Sequence, residues 1–226
     1  MNNTSQTNNE LLDAIRSGNL LKTQQLISTG LNVNAYDITI DNWTPLMLAI
    51  DLEHLDIVQT LIAAGANLYN STYFEDTPLG LATRKNNLEL VKLLLQAGAD
   101  PNYGGESPPI CSAIGRQRKH IELVKTLINF NADVDGCSPS GVSALMIAAG
   151  NGNLKIVEML LEAGANPDAT DRSGDMALDK AAYWGYQDIF DYLLIFTPCL
   201  ERQEDLQKKL AKAILRQQIR NKWKNK

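Results

Sequence analysis

The sequence is poor in the side chains that most chemistry requires. It has two histidines, His54 and His120, in 226 residues, which leaves little for metal binding or for proton transfer near neutral pH. Both precede an apolar helical run, where a capping or surface role accounts for them. The three cysteines, Cys111, Cys137 and Cys199, contain no Cys-x-x-Cys pair and are odd in number. That argues against a disulfide framework and for a reducing, cytoplasmic setting. No apolar run approaches the ~18 residues of a membrane span. Met1 to Asn9 is polar and uncharged, so no secretory signal is expected there. Gly-x-x-x-x-Gly-Lys and Gly-x-Ser-x-Gly are both missing, and with them a phosphate cradle and a nucleophile elbow. Carboxylates are plentiful, but Asp37, Asp76, Asp100, Asp133 and Asp171 recur in loop positions, which points to turn chemistry and not to a catalytic pair. The chain is therefore expected to be non-enzymatic, with no cofactor and no metal.

What the sequence does have is an ordinary apolar share, 44%, arranged in short pieces. Ala144 to Asp171 holds two apolar runs around a Gly-rich turn, and Leu154, Ile156, Val157, Leu160 and Leu161 fall on one helical face. Gly164 then ends the run in the manner of a left-handed cap. Two such short helices bury too little to stand alone, so neighbours are required. They are present. Gly65, Gly98, Asn131 and Gly164 are spaced by 33 residues, each followed by alanine. Pro45-Leu46, Pro78-Leu79, Pro109-Ile110, Ala144-Leu145 and Ala177-Leu178 hold the matching place upstream. Their spacings are 33, 31, 35 and 33. The loop before Pro109 is two residues short, and Gly115 to His120 carries two extra.

This period, with Thr44-Pro45-Leu46, Thr77-Pro78-Leu79, Leu88-Glu89-Leu90-Val91 and Gly98-Ala99-Asp100, resembles the ankyrin repeat. The resemblance implies an all-α solenoid of stacked helix-turn-helix units with short finger loops. It covers roughly residues 10 to 196. The hydrogen-bonding histidine that the family carries after Thr-Pro-Leu is replaced by Met47, Gly80, Cys111 and Met146. More of the stability between repeats is then left to apolar packing.

In chain order, residues 1–9 read as a frayed tail and 10–197 as the solenoid. Its units lie near 10–32, 43–67, 76–101, 107–134, 143–168 and 174–197; residues 198–226 read as a basic C-terminal helix. The first unit lacks Thr-Pro-Leu, as a terminal cap would. Pro45 suits a first helical turn, where its missing N–H has no partner to lose, and Thr44 can cap it. Trp43 lies in a long finger and either packs locally or anchors a partner. The next finger holds Tyr69, Tyr73 and Phe74. Arg84 and Lys85 sit at one inter-helix turn, and Arg116, Arg118 and Lys119 at the extended one. In the sixth unit Asp179 and Lys180 replace apolar residues, Tyr183-Trp184-Gly185-Tyr186 forms the turn, and Thr197-Pro198 stops the helix.

The charge is split. Residues 1–200 carry 12 Lys+Arg against 23 Asp+Glu, whereas residues 201–226 carry 9 against 3. In the tail, Leu206, Leu210, Ala213 and Ile214 share one side, suited to covering the sixth repeat. Leu215, Ile219 and Trp223 share nearly the opposite side, among Lys208, Lys212, Arg216 and Arg220. This tail is a cap, a docking helix, or a basic element for an anionic membrane surface. Nucleic acid is not expected, because the acidic body would repel it.

The resemblance implies that finger tips and first helices line a concave groove. Matching positions make Trp43, Tyr73, Phe74, Tyr103, Arg172, Tyr183 and Trp184 the candidate contacts, with Arg84, Lys85, Arg116 and Arg118 as rim cations. The expected partner is a protein with a basic or mixed surface, and the chain is expected to act as a monomer.

Overall fold

The helix starts follow from capping chemistry. Thr44, Thr77 and Ser143 each turn a side-chain oxygen onto the N–H three residues ahead, of Met47 (3.2 Å), Gly80 (3.0 Å) and Met146 (3.3 Å). Each satisfies one of the donors that a helix N-terminus leaves open. Pro45 and Pro78 occupy the first helical position behind their threonines. The helix ends are equally regular. Gly65, Gly98, Asn131 and Gly164 all have positive φ. The N–H of the alanine that follows each reaches back to Leu61, Leu94, Leu127 or Leu160 at 2.9–3.0 Å, the six-to-one closure of a helix with a left-handed terminus.

The computed structural model describes the backbone of residues 3–36, 43–71, 77–104, 107–114, 121–197 and 200–224, and the side chains of 9–36, 43–71, 77–104, 107–114, 121–197 and 203–218. These hold thirteen helices: α1 Asn3–Arg16, α2 Leu20–Ser28, α3 Pro45–Asp51, α4 Leu55–Ala63, α5 Pro78–Arg84, α6 Leu88–Gln96, α7 Pro109–Ala113, α8 Ile121–Asn129, α9 Ala144–Asn151, α10 Leu154–Glu162, α11 Ala177–Trp184, α12 Gln187–Leu194 and α13 Leu200–Lys224. Among the described residues there is no strand; Cys137 and Ser143 form one isolated antiparallel bridge at a finger. The all-α architecture of stacked helix pairs is the one expected. The first helix begins at Asn3, whereas residues 1–9 were expected to fray. No Pro or Gly interrupts 3–16, so nothing local stops the helix from extending.

The chain forms two compact units, Met1–Ser112 and Ala113–Lys226. In the first, α1, α3 and α5 pack in series and α2 packs on α4; in the second, α9, α11 and α13 pack in series, and α8, α10 and α12 likewise. The first helix of a pair is buried over most of its surface, as in α3 from Pro45 to Ile50 and α5 from Pro78 to Thr83. Small residues at the tightest places (Ala49, Ala82, Ala148 and Ala181) are all fully buried and let these helices approach closely. The second helices are amphipathic. Their buried trios are Ile57/Val58/Leu61, Leu90/Val91/Leu94, Leu123/Val124/Leu127, Ile156/Val157/Leu160 and Ile189/Phe190/Leu193, repeating at every 33rd residue.

The positions of the family histidine are filled by apolar side chains. Met47, Cys111 and Met146 are buried. Gly80 is different: a Cβ there would stand 2.6 Å from the Gly104 carbonyl oxygen. The next finger thus lies directly on α5, where Thr77 Oγ1 also donates to the Tyr103 carbonyl at 3.1 Å.

The tail helix, α13, covers the end of the second stack. Leu206, Leu210 and Ala213 are buried against it, and α13 packs on α11. The Gln217 side chain reaches the Trp184 carbonyl.

Candidate functional site

In the second unit the exposed surface of α9 and α11 forms a cleft of about 400 Å³. Its floor is Val142, Met146, Ile147 and Gly150; Asn151, Lys180, Trp184 and Tyr186 complete it. Trp184 ends α11, and its indole lies over Gly150 of α9, where a Cβ would be 3.8 Å from Cδ1 and Nε1. Tyr183 packs edge-on against Trp184, with ring centroids 5.3 Å apart and planes at 86°. The two remain 68% and 46% exposed. A paired Tyr and Trp beside a cleft of mixed polarity offers a large contact area at little entropic cost, the property of an interface anchor.

The electrostatics of this cleft centre on Lys180. Its Nζ lies 2.7 Å from Asp171 Oδ2 and 2.8 Å from Asp175 Oδ2. The Asp171 side chain is nearly buried and also accepts the N–H groups of Ser173 (2.8 Å) and Asp175 (3.0 Å). The Lys180 hydrogen bond holds the Asp171 carboxyl below its ordinary range, with burial opposing and the two N–H groups assisting. Burial alone would push the Lys180 ammonium down; the hydrogen bonds of Asp171 and Asp175 outweigh it and hold it above its usual value. Both groups are therefore charged at neutral pH, and with exposed Arg172 beside them the edge carries both signs. Asp179, the other unexpected residue of α11, is buried and accepts the Met176 N–H at 3.0 Å. It serves the start of the helix, not the cleft.

The first unit presents a different surface. Tyr36, Tyr69 and Tyr103 are each about half exposed and follow one another from repeat to repeat. Tyr36 Oη donates to Asn70 Oδ1 at 3.2 Å and Tyr69 Oη to the Gly98 carbonyl at 2.8 Å. Tyr69 meets Tyr103 edge-on with centroids 5.9 Å apart. One repeat earlier, Asn34 reaches forward in the same way, to the Gly65 carbonyl at 3.2 Å and the Asn67 N–H at 2.7 Å. Tyr69 thus takes over a bridging role that an amide performs elsewhere.

The candidate contacts divide between these surfaces. Tyr183 and Trp184 come together at the cleft. Arg172 is exposed, next to Asp171, with its N–H donating to the Ser140 carbonyl at 3.1 Å. Trp43 is half-buried, Tyr103 is exposed on the tyrosine row, and Arg84 is exposed. Lys85 is held by Asp51, 2.6 Å from its carboxylate and 2.6 Å from its carbonyl. It caps the C-terminal end of α3, where a cation is favoured. Tyr73, Phe74, Arg116 and Arg118 lie outside the described residues, as do the side chains of Ile219, Arg220 and Trp223. Sequence reasoning missed Tyr36 as part of a row, and the partners of Lys180. The spacings of 33 and 34 between Tyr36, Tyr69 and Tyr103 were the available signal.

On α13, Leu215 is 56% exposed. Lys208 faces Glu204 at 4.0 Å, while Lys212 and Arg216 are exposed. Among the described residues no three His, Cys, Asp or Glu side chains form a group suited to a metal ion, and no helix is long and apolar enough to cross a membrane.

A family model described as ankyrin repeats (3 copies) matches residues 11–104 and 110–202. No curated protein matches the chain. Among solved structures, the chain is similar to the ankyrin repeat domain of Bcl-3, described as a unique member of the IkappaB protein family. Identity is 26% and the TM-score 0.72, over 82% of this chain and 84% of that one. It is similar to an ankyrin repeat domain from Acinetobacter baumannii AYE at 29% identity and a TM-score of 0.75, over 82% and 96%. For the ankyrin repeat domain of human ASB11 the values are 28% and 0.68, over 82% of each chain.

Proposed function

Because the chain belongs to the ankyrin-repeat family, whose domains are in general protein-interaction modules, we propose that it is a non-catalytic module holding a partner protein on the exposed surface of its first helices and fingers. The observation that supports this reading is the α9/α11 cleft. There an apolar floor lies beside Tyr183 and Trp184, two aromatic side chains left open to solvent. An anchor of this kind binds by burying aromatic area, and truncating it costs about 2 kcal/mol or more at a hot spot. The edge around Lys180, with Arg172 beside it, carries both signs and suits a partner surface of mixed charge.

The test is affinity capture from cell extract with the wild-type chain, followed by titration of the captured partner. Y183A and W184A are expected to bind it roughly 30-fold more weakly, at about 1.4 kcal/mol per factor of ten. Undiminished binding by W184A would remove the cleft from the interface. Both side chains are exposed, so the variants should keep the thermal stability of the wild type.

A second reading concerns α13. Leu215, exposed between Lys212 and Arg216, makes this helix a docking element for an acidic surface, either of a protein or of an anionic membrane. It is independent of the cleft, and binding through it should survive W184A.

A further inference from the structure

The tail helix has an inner and an outer side. Leu206, Leu210 and Ala213 are buried, and α13 packs on α11. The opposite side carries apolar residues that this packing leaves unused. Ala211 is exposed and Leu215 is 56% exposed. Further along α13 the sequence sets Ile219 and Trp223 at i+4 and i+8 from Leu215, on the same side of the helix. A row of cations runs beside this one at the same i+4 step. Lys208, Lys212 and Arg216 are all exposed, and Arg220 and Lys224 continue the row in the sequence. From Lys208 to Lys224 it extends for about 24 Å. Carboxylates are confined to the start of the helix. Asp205 is paired with Lys209 at 3.0 Å and Glu204 lies 4.0 Å from Lys208, whereas from Leu206 to Lys226 the sequence has none.

We propose that the outer side of α13 lies along an anionic lipid bilayer, with its apolar row at the headgroup boundary and its cation row against the lipid phosphates and carboxylates. The inference rests on the reading of α13 as a docking element and names the surface it docks on. A helix that binds in this way lies in the plane of the interface, with a narrow apolar row sunk among the headgroups and Lys and Arg beside it. Long cationic stems can bury their methylenes and keep the charge in water, and tryptophan is favoured at the same depth. The pattern suits a bilayer better than an acidic protein. A protein groove recognises an apolar row by shape and supplies carboxylates only at fixed places. The cations here form one continuous line, and a fluid leaflet can bring a headgroup to each of them. Residues 1–200, with 12 Lys+Arg against 23 Asp+Glu, are repelled by the same leaflet, which confines the contact to α13.

The test is co-sedimentation of the full chain with vesicles of phosphatidylserine and phosphatidylcholine, against vesicles of phosphatidylcholine alone, at about 0.15 M salt. Each cation near an anionic leaflet is worth a factor of roughly five, so binding to the anionic vesicles is expected to be at least ten-fold tighter. K208E/K212E/R216E should weaken it ten-fold or more. L215S leaves every charge in place and should weaken it by about ten-fold, through the apolar contact alone. The four altered residues are exposed, and an unchanged circular dichroism melt verifies folding. Equal binding to the two kinds of vesicle, or undiminished binding by either variant, would overturn the proposal. Fluorescein-labelled polyglutamate, read by fluorescence anisotropy, stands for an acidic polypeptide. If it binds through the same cations while the vesicles do not, the bilayer is excluded but docking of α13 on an acidic surface stands. Binding of neither probe would dismiss both readings.

Discussion

Two glycines in first helices should respond to the same substitution with opposite signs. In a helix interior alanine is favoured over glycine by roughly 0.5–1 kcal/mol, because it has less backbone freedom to lose. At Gly150, in α9, a new methyl would meet Lys180 Cβ at 3.7 Å and Trp184 Cδ1 and Nε1 at 3.8 Å, ordinary contact distances. Gly150→Ala should therefore realise the gain of roughly 0.5–1 kcal/mol. At Gly80, in α5, the methyl would stand 2.6 Å from Gly104 O, 3.3 Å from Gly104 C and 3.2 Å from Thr77 Oγ1. The obstruction is backbone, which no rotamer change relieves. The finger would have to retreat, lengthening the Thr77–Tyr103 hydrogen bond of 3.1 Å. Overpacking of this kind costs about 1–3 kcal/mol, and the weakened hydrogen bond about 1 kcal/mol more. After subtraction of the helix-propensity gain, a net loss of about 1–3.5 kcal/mol is expected. Urea titration followed by circular dichroism resolves this: with a slope of about 2–3 kcal/mol/M, the midpoint falls by about 0.3–1.8 M for G80A and rises by about 0.2–0.5 M for G150A. A G80A protein as stable as wild type would refute the reading that the Gly104 backbone excludes a side chain there. Parallel shifts in both variants would leave propensity alone in control.

The remaining expectations concern the second unit. Leu206 is buried on the inner side of α13, so L206A should cost roughly 2–4 kcal/mol, measured as a lowered urea midpoint, while exposed Lys208→Ala stays within about 0.5 kcal/mol. No loss in L206A would mean that α13 does not close the stack. The Asp171–Lys180 pair gives a pH signature. Asp171 titrates below its unfolded value in the native state, so its stabilisation is complete above about pH 4 and is lost as pH falls through the lower folded value. Lys180, held above its ordinary value, contributes below about pH 10.4 and loses that contribution as pH rises further. The stability gap between wild type and D171N should be flat from about pH 5 to 8 and close on acidification, since an asparagine side chain at this position keeps the turn acceptor and loses only the charge. A gap that widens toward low pH would contradict the pairing.

Much of the architecture was legible because it is local. The caps at Thr44, Thr77 and Ser143, the left-handed ends at Gly65, Gly98, Asn131 and Gly164, and the trios typified by Ile156, Val157 and Leu160 are consequences of neighbouring residues and helical period. Copies at 33 residues remove ambiguity that one copy would leave. The candidate site was less legible. Tyr183 and Trp184 are adjacent in sequence and easily noticed. Tyr36, Tyr69 and Tyr103 stand 33 and 34 residues apart, but that spacing alone does not say that the rings stay half exposed or that Tyr69 meets Tyr103 edge-on. Lys180 reads as a defect in an apolar pattern until Asp171 and Asp175 are seen to enclose it.

The amino-acid sequence by itself determined the repeat: where helices start, where they end and which face of each is apolar. Those properties rest on hydrogen bonds and side-chain spacing within about a dozen residues. Tertiary structure decided the rest. It put α13 on α11, laid the Gly104 finger against Gly80, and turned the Lys85 candidate into a cap on α3. Each depends on where a loop delivers the chain and on which surface is still uncovered when it arrives, and neither is carried by local pattern.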